Sequence, residues 1–138
     1  MKTLLLSLTV FLFTAGIMQA QSVPALSVQD GKYLISVSRE TPPMNVISAE
    51  ELAGATGLLL VDLPTMKPER SEIISFSMTI ITEEGKNTLE SKESTLTPQM
   101  KEQLQLLRSG VIIYFEFIKC KQADGTVMSL PSMPFEIQ

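Results

Sequence analysis

The chain has 138 residues, a formal net charge of −4, no histidine and a single cysteine, Cys120. That length suits one domain, and an acidic balance without a basic cluster excludes the electrostatic footprint of a nucleic-acid binder and disfavours docking on anionic lipid. One cysteine cannot close an internal disulfide, so a hydrophobic core must hold the fold by itself.

The N-terminus sets the expected compartment. Met1-Lys2-Thr3 is a short positive segment, Leu4 to Phe13 is apolar except for Ser7 and Thr9, and small residues then lead to Ala20-Gln21. This is the layout of a secretory signal peptide, with cleavage expected between Ala20 and Gln21. The stretch from Leu4 to Met18 covers 15 positions, short of the roughly 17–25 that a membrane-spanning helix needs. Residues 1–20 are therefore read as a leader and 21–138 as the domain. The expected location is the periplasm or the outer membrane, with release from the cell as the other outcome. Without the leader, and so without Lys2, 118 residues remain, and ten Lys and Arg face 15 Asp and Glu.

Residues 21–31 carry little periodicity and read as an extended lead-in. In Lys32 to Ser38 the alternation of Tyr33, Ile35 and Val37 predicts a strand, closed by Pro42-Pro43 because proline has no ladder donor. Ser48-Ala49-Glu50-Glu51 is a capping-box pattern that opens a short helix, broken by Gly54 and Gly57. Leu58 to Val61 is a compact apolar run, expected as a buried strand, and 62–70, with Pro64 and Pro68, reads as a loop. Glu72 to Thr82 alternates, with Ile74, Phe76, Met78 and Ile80 expected on the dry face, as a sandwich strand requires. A turn at 83–87 leads to a further, polar edge strand expected over Thr88 to Thr95.

Thr97-Pro98 marks the clearest helix start: threonine caps well, and proline at the first helical position loses no available bond. Met100, Leu104 and Leu107 recur at helical spacing up to Arg108, and Gly110 stops the helix. Val111 to Lys121 is the strongest strand signal. Ile113, Phe115 and Phe117 are expected on one face, and Ile112, Tyr114, Ile118 and Cys120 on the other. Asp124-Gly125 signals a hairpin turn, Thr126 to Leu130 the returning strand, and Phe135 to Ile137 a last short one.

Catalytic chemistry finds little to work with. The absence of histidine removes the usual general base, the commonest transition-metal ligand and any Ser–His or Cys–His dyad. Gly54 and Gly57 do not belong to a phosphate-binding loop. The pairs Glu50–Glu51 and Glu83–Glu84 are read as solvated charge, because catalytic carboxylates need burial or neighbours that split their pKa values. Glu83-Glu84-Gly85 lacks the ligand spacing of a calcium loop. Cys120 is read as a buried thiol, and the methionines at 44, 66, 78, 100, 128 and 133 as adaptable core filler. No enzyme activity, cofactor or metal is expected. The second apolar face of the 111–121 strand is different: either the helix from Pro98 covers it, or a partner protein lies across Tyr114 and Ile118.

Several runs together resemble the C-terminal domain of the GldM family of gliding-motility and type IX secretion proteins. They are Leu96-Thr97-Pro98-Gln99-Met100-Lys101, Leu107-Arg108-Ser109-Gly110, Tyr114-Phe115-Glu116-Phe117-Ile118-Lys119-Cys120-Lys121, Asp124-Gly125-Thr126-Val127, Leu130-Pro131 and Phe135-Glu136-Ile137, preceded by Ile47-Ser48-Ala49-Glu50-Glu51-Leu52 and Ile74-Ser75-Phe76-Ser77-Met78. The similarity spans about residues 32–138 and is densest over 96–137. It implies an immunoglobulin-like β-sandwich in the periplasm that links an inner-membrane motor to an outer-membrane ring. The membrane helix and long helical domain that precede this domain in GldM have no counterpart in these 138 residues. Val111 also stands where that family tends to have an acidic residue.

The expectation is thus a mainly all-β, immunoglobulin-like sandwich with one short helix inserted before the long C-terminal strand. Its expected role is that of a non-enzymatic adaptor binding other envelope proteins, accessory to type IX secretion or gliding. The alternative role is a secreted or surface-attached inhibitor or adhesion module, and self-association into a homo-oligomer is left open.

Overall fold

A computed structural model describes residues 25–40, 44–63 and 65–138. The leader, its cleavage point at Ala20-Gln21 and the Pro42-Pro43 strand stop lie outside the described residues. Nine strands and two short helices follow in order: β1 (Leu26–Gln29), β2 (Lys32–Val37), β3 (Asn45–Ile47), α1 (Ala49–Ala53), β4 (Gly57–Leu60), β5 (Glu72–Thr82), β6 (Gly85–Ser91), α2 (Pro98–Gln105), β7 (Ile112–Lys121), β8 (Val127–Leu130) and β9 (Met133–Ile137). They form a three-stranded sheet, β1-β2-β4, and a six-stranded one, β3-β9-β7-β5-β6, with β8 also paired to β7. This is an all-β sandwich with a short helix before the long strand, as the patterning predicts. A second helix, α1, sits where the capping box starts it.

Alternation builds the core from both sheets. In the small sheet Ile35 lies opposite Leu58 and Val37 opposite Leu60, across a parallel pairing of β2 with β4. All four are buried. Tyr33, expected with them, is exposed near the start of β2. The large sheet supplies Phe76, Met78, Ile80, Ile113, Phe115, Met133, Phe135 and Ile137 to the same cluster. Phe115 sits between two other rings, 6.1 Å from Phe76 and 5.8 Å from Phe135, the latter edge-on. Tilted and edge-on pairs place ring hydrogens on ring faces, a favourable arrangement beyond area burial alone.

The helices close one side of this core. Ser48 caps α1: its hydroxyl accepts from the Glu51 N–H and donates to the Glu51 carboxylate, both at 3.1 Å. Thr97 caps α2 by accepting from the Met100 N–H at 3.1 Å. Met100 and Leu104 are fully buried, and α2 packs beside α1. The helix ends at Gln105, short of Arg108. Gly110 follows at φ +91°, its N–H bonded to the Ile137 carbonyl. Of the methionines, Met78, Met100 and Met133 are core residues, whereas Met44 is exposed.

Turns connect the strands as their residues dictate. Asp30 and Gly31 both have positive φ, 52° and 78°, and join β1 to β2 in a two-residue hairpin of the type that Asp-Gly favours. The lead-in read over 21–31 therefore holds a strand and its turn. Gly125, at φ +91°, turns β7 into β8. Asp124 braces that turn by accepting from the Thr126 N–H at 2.9 Å and from its hydroxyl at 2.7 Å. Gly57 meets a different demand, because a Cβ there would lie 2.5 Å from the Ser94 carbonyl oxygen. The 94–96 segment pairs with β4 at that point.

Two bulges change the expected faces. Between the pairs Ser77–Glu116 and Ser75–Lys119, β7 holds one residue more than β5. One step further on, between Ser75–Lys119 and Ile73–Cys120, β5 holds the extra residue. An extra residue reverses which face the following side chains use. Phe117, at φ +53°, lies in the β7 bulge and is 71% exposed, so it is not part of the face formed by Ile113 and Phe115. Ile118 and Cys120 come to the core side instead and are fully buried. On β5 Ile73 is buried and Ile74, expected inside, is only half-buried.

Candidate protein-binding surface

The outer face of the large sheet is built by the residues that alternate with the core. Register places Ile112 opposite Ile81, Tyr114 opposite Thr79 and Glu116 opposite Ser77. On the far side of β7, Tyr114 lies opposite Pro134 and Ile112 opposite Glu136. Tyr114 is half-buried here while Ile118 is enclosed in the core. The structure therefore separates the two residues expected to share a surface: the bulge at Phe117 stands between them, and only Tyr114 remains available.

Around Tyr114 the face is ordered by hydrogen bonds. The Thr79 hydroxyl donates to Glu116 Oε1 at 2.7 Å and lies 3.0 Å from the Thr88 hydroxyl. With its own proton used, Thr79 accepts from Thr88. Thr79 is 1% exposed although it lies on the outer face, and these two partners satisfy it, as a buried hydroxyl requires. The chain Thr88–Thr79–Glu116 fixes a polar strip across β6, β5 and β7.

Beyond Ile112 this face opens into a groove of about 830 Å³ between the β5–β6 turn and the segment after α2. Ile81, Leu106, Leu107 and Ile112 give it an apolar lining, and Glu84 and Arg108 put opposite charges on its border. Leu106 is 69% exposed. Leu106 caps the C-terminus of α2 through its N–H bond to the Gln103 carbonyl, and Leu107 packs partly on the core. An apolar centre with a charged border is the usual arrangement of a protein-recognition surface. The sequence pattern points to Tyr114 as a surface residue but not to Leu106, and it places Phe117 with Ile113 and Phe115 instead of in solvent. Leu106 was legible as the apolar residue outside the Met100/Leu104/Leu107 spacing.

Glu50, Glu51, Glu83 and Glu84 are all exposed. Burial pushes the Cys120 thiol above its ordinary pKa, against the opposing effect of nearby Arg39, which disfavours the thiolate. Among the described residues no group of three His, Cys, Asp or Glu side chains is placed to hold a metal ion, and no helix is long and apolar enough to cross a membrane. No protein-family model matches the chain, and no curated protein matches it significantly.

Proposed function

We propose that the chain is an exported, non-enzymatic adaptor of the cell envelope that binds other proteins through the outer face around Tyr114 and the adjoining groove. The observation that carries this reading is the groove lined by exposed Ile81 and Leu106 and bordered by charge, next to half-buried Tyr114 on the outer face of β7. Scattered exposed apolar residues are ordinary, but apolar residues gathered in one groove are a reason to expect a partner. Export rests on the leader pattern of residues 1–20. The resemblance of 96–137 to the C-terminal domain of GldM supports placing that partner in the type IX secretion or gliding machinery. Fold alone does not decide this, because sandwiches host many functions.

Fractionation with intact-mass measurement tests the compartment. The expected product begins at or near Gln21 and is released by osmotic shock. A chain that keeps Met1 and stays in the cytoplasm contradicts the reading.

A further inference from the structure

The edge strand β6 carries a charge pattern that is complementary to itself. β6 is the last strand of the large sheet: β5 pairs with one side, and among the described residues no strand pairs with the other. The two-residue turn at Glu83-Glu84 closes on the pair Thr82–Gly85, and the register continues through Lys86–Ile81, Asn87–Ile80, Thr88–Thr79 and Glu90–Ser77. In such a hairpin the closing pair is hydrogen-bonded and bonded pairs alternate. The backbone groups of Gly85, Asn87 and Leu89 thus serve β5, while those of Lys86, Thr88 and Glu90 point away from it, towards a free edge. Lys86, Thr88 and Glu90 are exposed, as are Glu84 and Lys92 on either side of the strand. None of the four charged residues has an ion-pair partner among the described residues.

We infer that β6 is a homodimer interface, at which a second copy of this chain pairs its own β6 antiparallel about a two-fold axis through Thr88. That axis sets Lys86 opposite Glu90 of the other copy and Glu84 opposite its Lys92, each pair occurring twice, with Thr88 facing Thr88. The three outward-facing residues of each copy then exchange about six backbone hydrogen bonds, and the two six-stranded sheets become one. The pattern also defines the register. Sliding by two residues in one direction brings Lys86 opposite Lys92, and in the other brings Glu84 opposite Glu90, so both neighbouring registers oppose like charges. A lone lysine on an edge strand commonly deters pairing. Here every charge on the exposed side meets its opposite in one two-fold arrangement, the self-complementarity an isologous contact requires. The inference does not depend on the export reading or on the Tyr114 surface.

Sedimentation velocity of the full purified chain tests this by charge reversal. Wild type is expected to sediment as two chains. Lys86→Glu and Glu90→Lys alone each bring like charges together and are expected to sediment as single chains. The double variant Lys86→Glu/Glu90→Lys restores complementarity and the dimer, and an equimolar mixture of the two single variants forms a mixed dimer. Thr88→Cys, on the axis, is expected to cross-link to its counterpart under mild oxidation, while buried Cys120 stays reduced. A wild-type chain that sediments singly at high concentration overturns the proposal, as do single reversals that dimerise like wild type. Rescue by the double variant distinguishes a lost interface from a lost fold.

Discussion

Phe117 is the residue at which local pattern and structure part. Ile113, Phe115 and Phe117 keep a strict period of two, which reads as one face, yet Phe117 takes φ +53° and lies in solvent. The signal that could have revealed the bulge is the pair Ile118 and Cys120, out of phase with Ile113 and Phe115: both sets reach one core only if an extra residue lies between them. An L-residue held in the left-handed region costs about 1–2 kcal/mol. Phe117→Gly is therefore expected to leave the melting temperature unchanged or raise it, whereas loss of a buried phenylalanine would lower stability by about 3–5 kcal/mol. Gly125 was legible from the start, since Asp-Gly is a strong turn signal. Gly125→Val, which forces a β-branched residue to φ +91°, is expected to destabilise by about 1 kcal/mol or more in thermal melts. Thr126 holds the neighbouring Asp124 carboxyl below its ordinary pKa, by its N–H first and its hydroxyl second. A lowered folded pKa means that this contribution is complete above the ordinary aspartate value of about 3.9 and is lost as pH falls through the lower folded value. An NMR titration of the Asp124 carboxyl is expected to show its midpoint below that ordinary value.

At the scale of elements, the helix caps and the Asp124-Gly125 turn were readable, whereas the Asp30-Gly31 turn and the packing partners were not. Ser48 and Thr97 start their helices because each supplies an oxygen to a backbone N–H that the helix leaves unpaired. Both bonds are formed. What α2 would cover was not decided by its own residues, because an apolar stripe specifies burial and not the surface that provides it. The stripe turns to the core beside α1, and the outer face of β7 keeps Tyr114 half-buried. Leu104→Ala is expected to lower stability by about 2–5 kcal/mol, and Ile118→Ala comparably, since both side chains are fully buried in the same cluster. Thermal or denaturant unfolding checks both, and a silent Leu104→Ala would mean that α2 is dispensable to the core. The hairpin at Asp30-Gly31 was missed for a related reason: Leu26 to Gln29 is too short and too exposed to show a period.

For the whole molecule, the two-layer architecture was legible because strands with one apolar face must find another apolar face to bury. The parallel pairings of β2 with β4 and of β3 with β9 were not, since nothing in a strand's own residues specifies which distant strand lies beside it. The adaptor reading requires that the outer face bind and not merely pack. Affinity capture from envelope fractions, using wild type beside Tyr114→Ala, separates these roles, with folding checked by melting temperature. The account predicts that wild type retains subunits of the type IX ring or motor, and that Tyr114→Ala loses them while melting within a degree or two of wild type. A Tyr114→Ala chain that captures the same subunits as wild type, or one that unfolds, would contradict it.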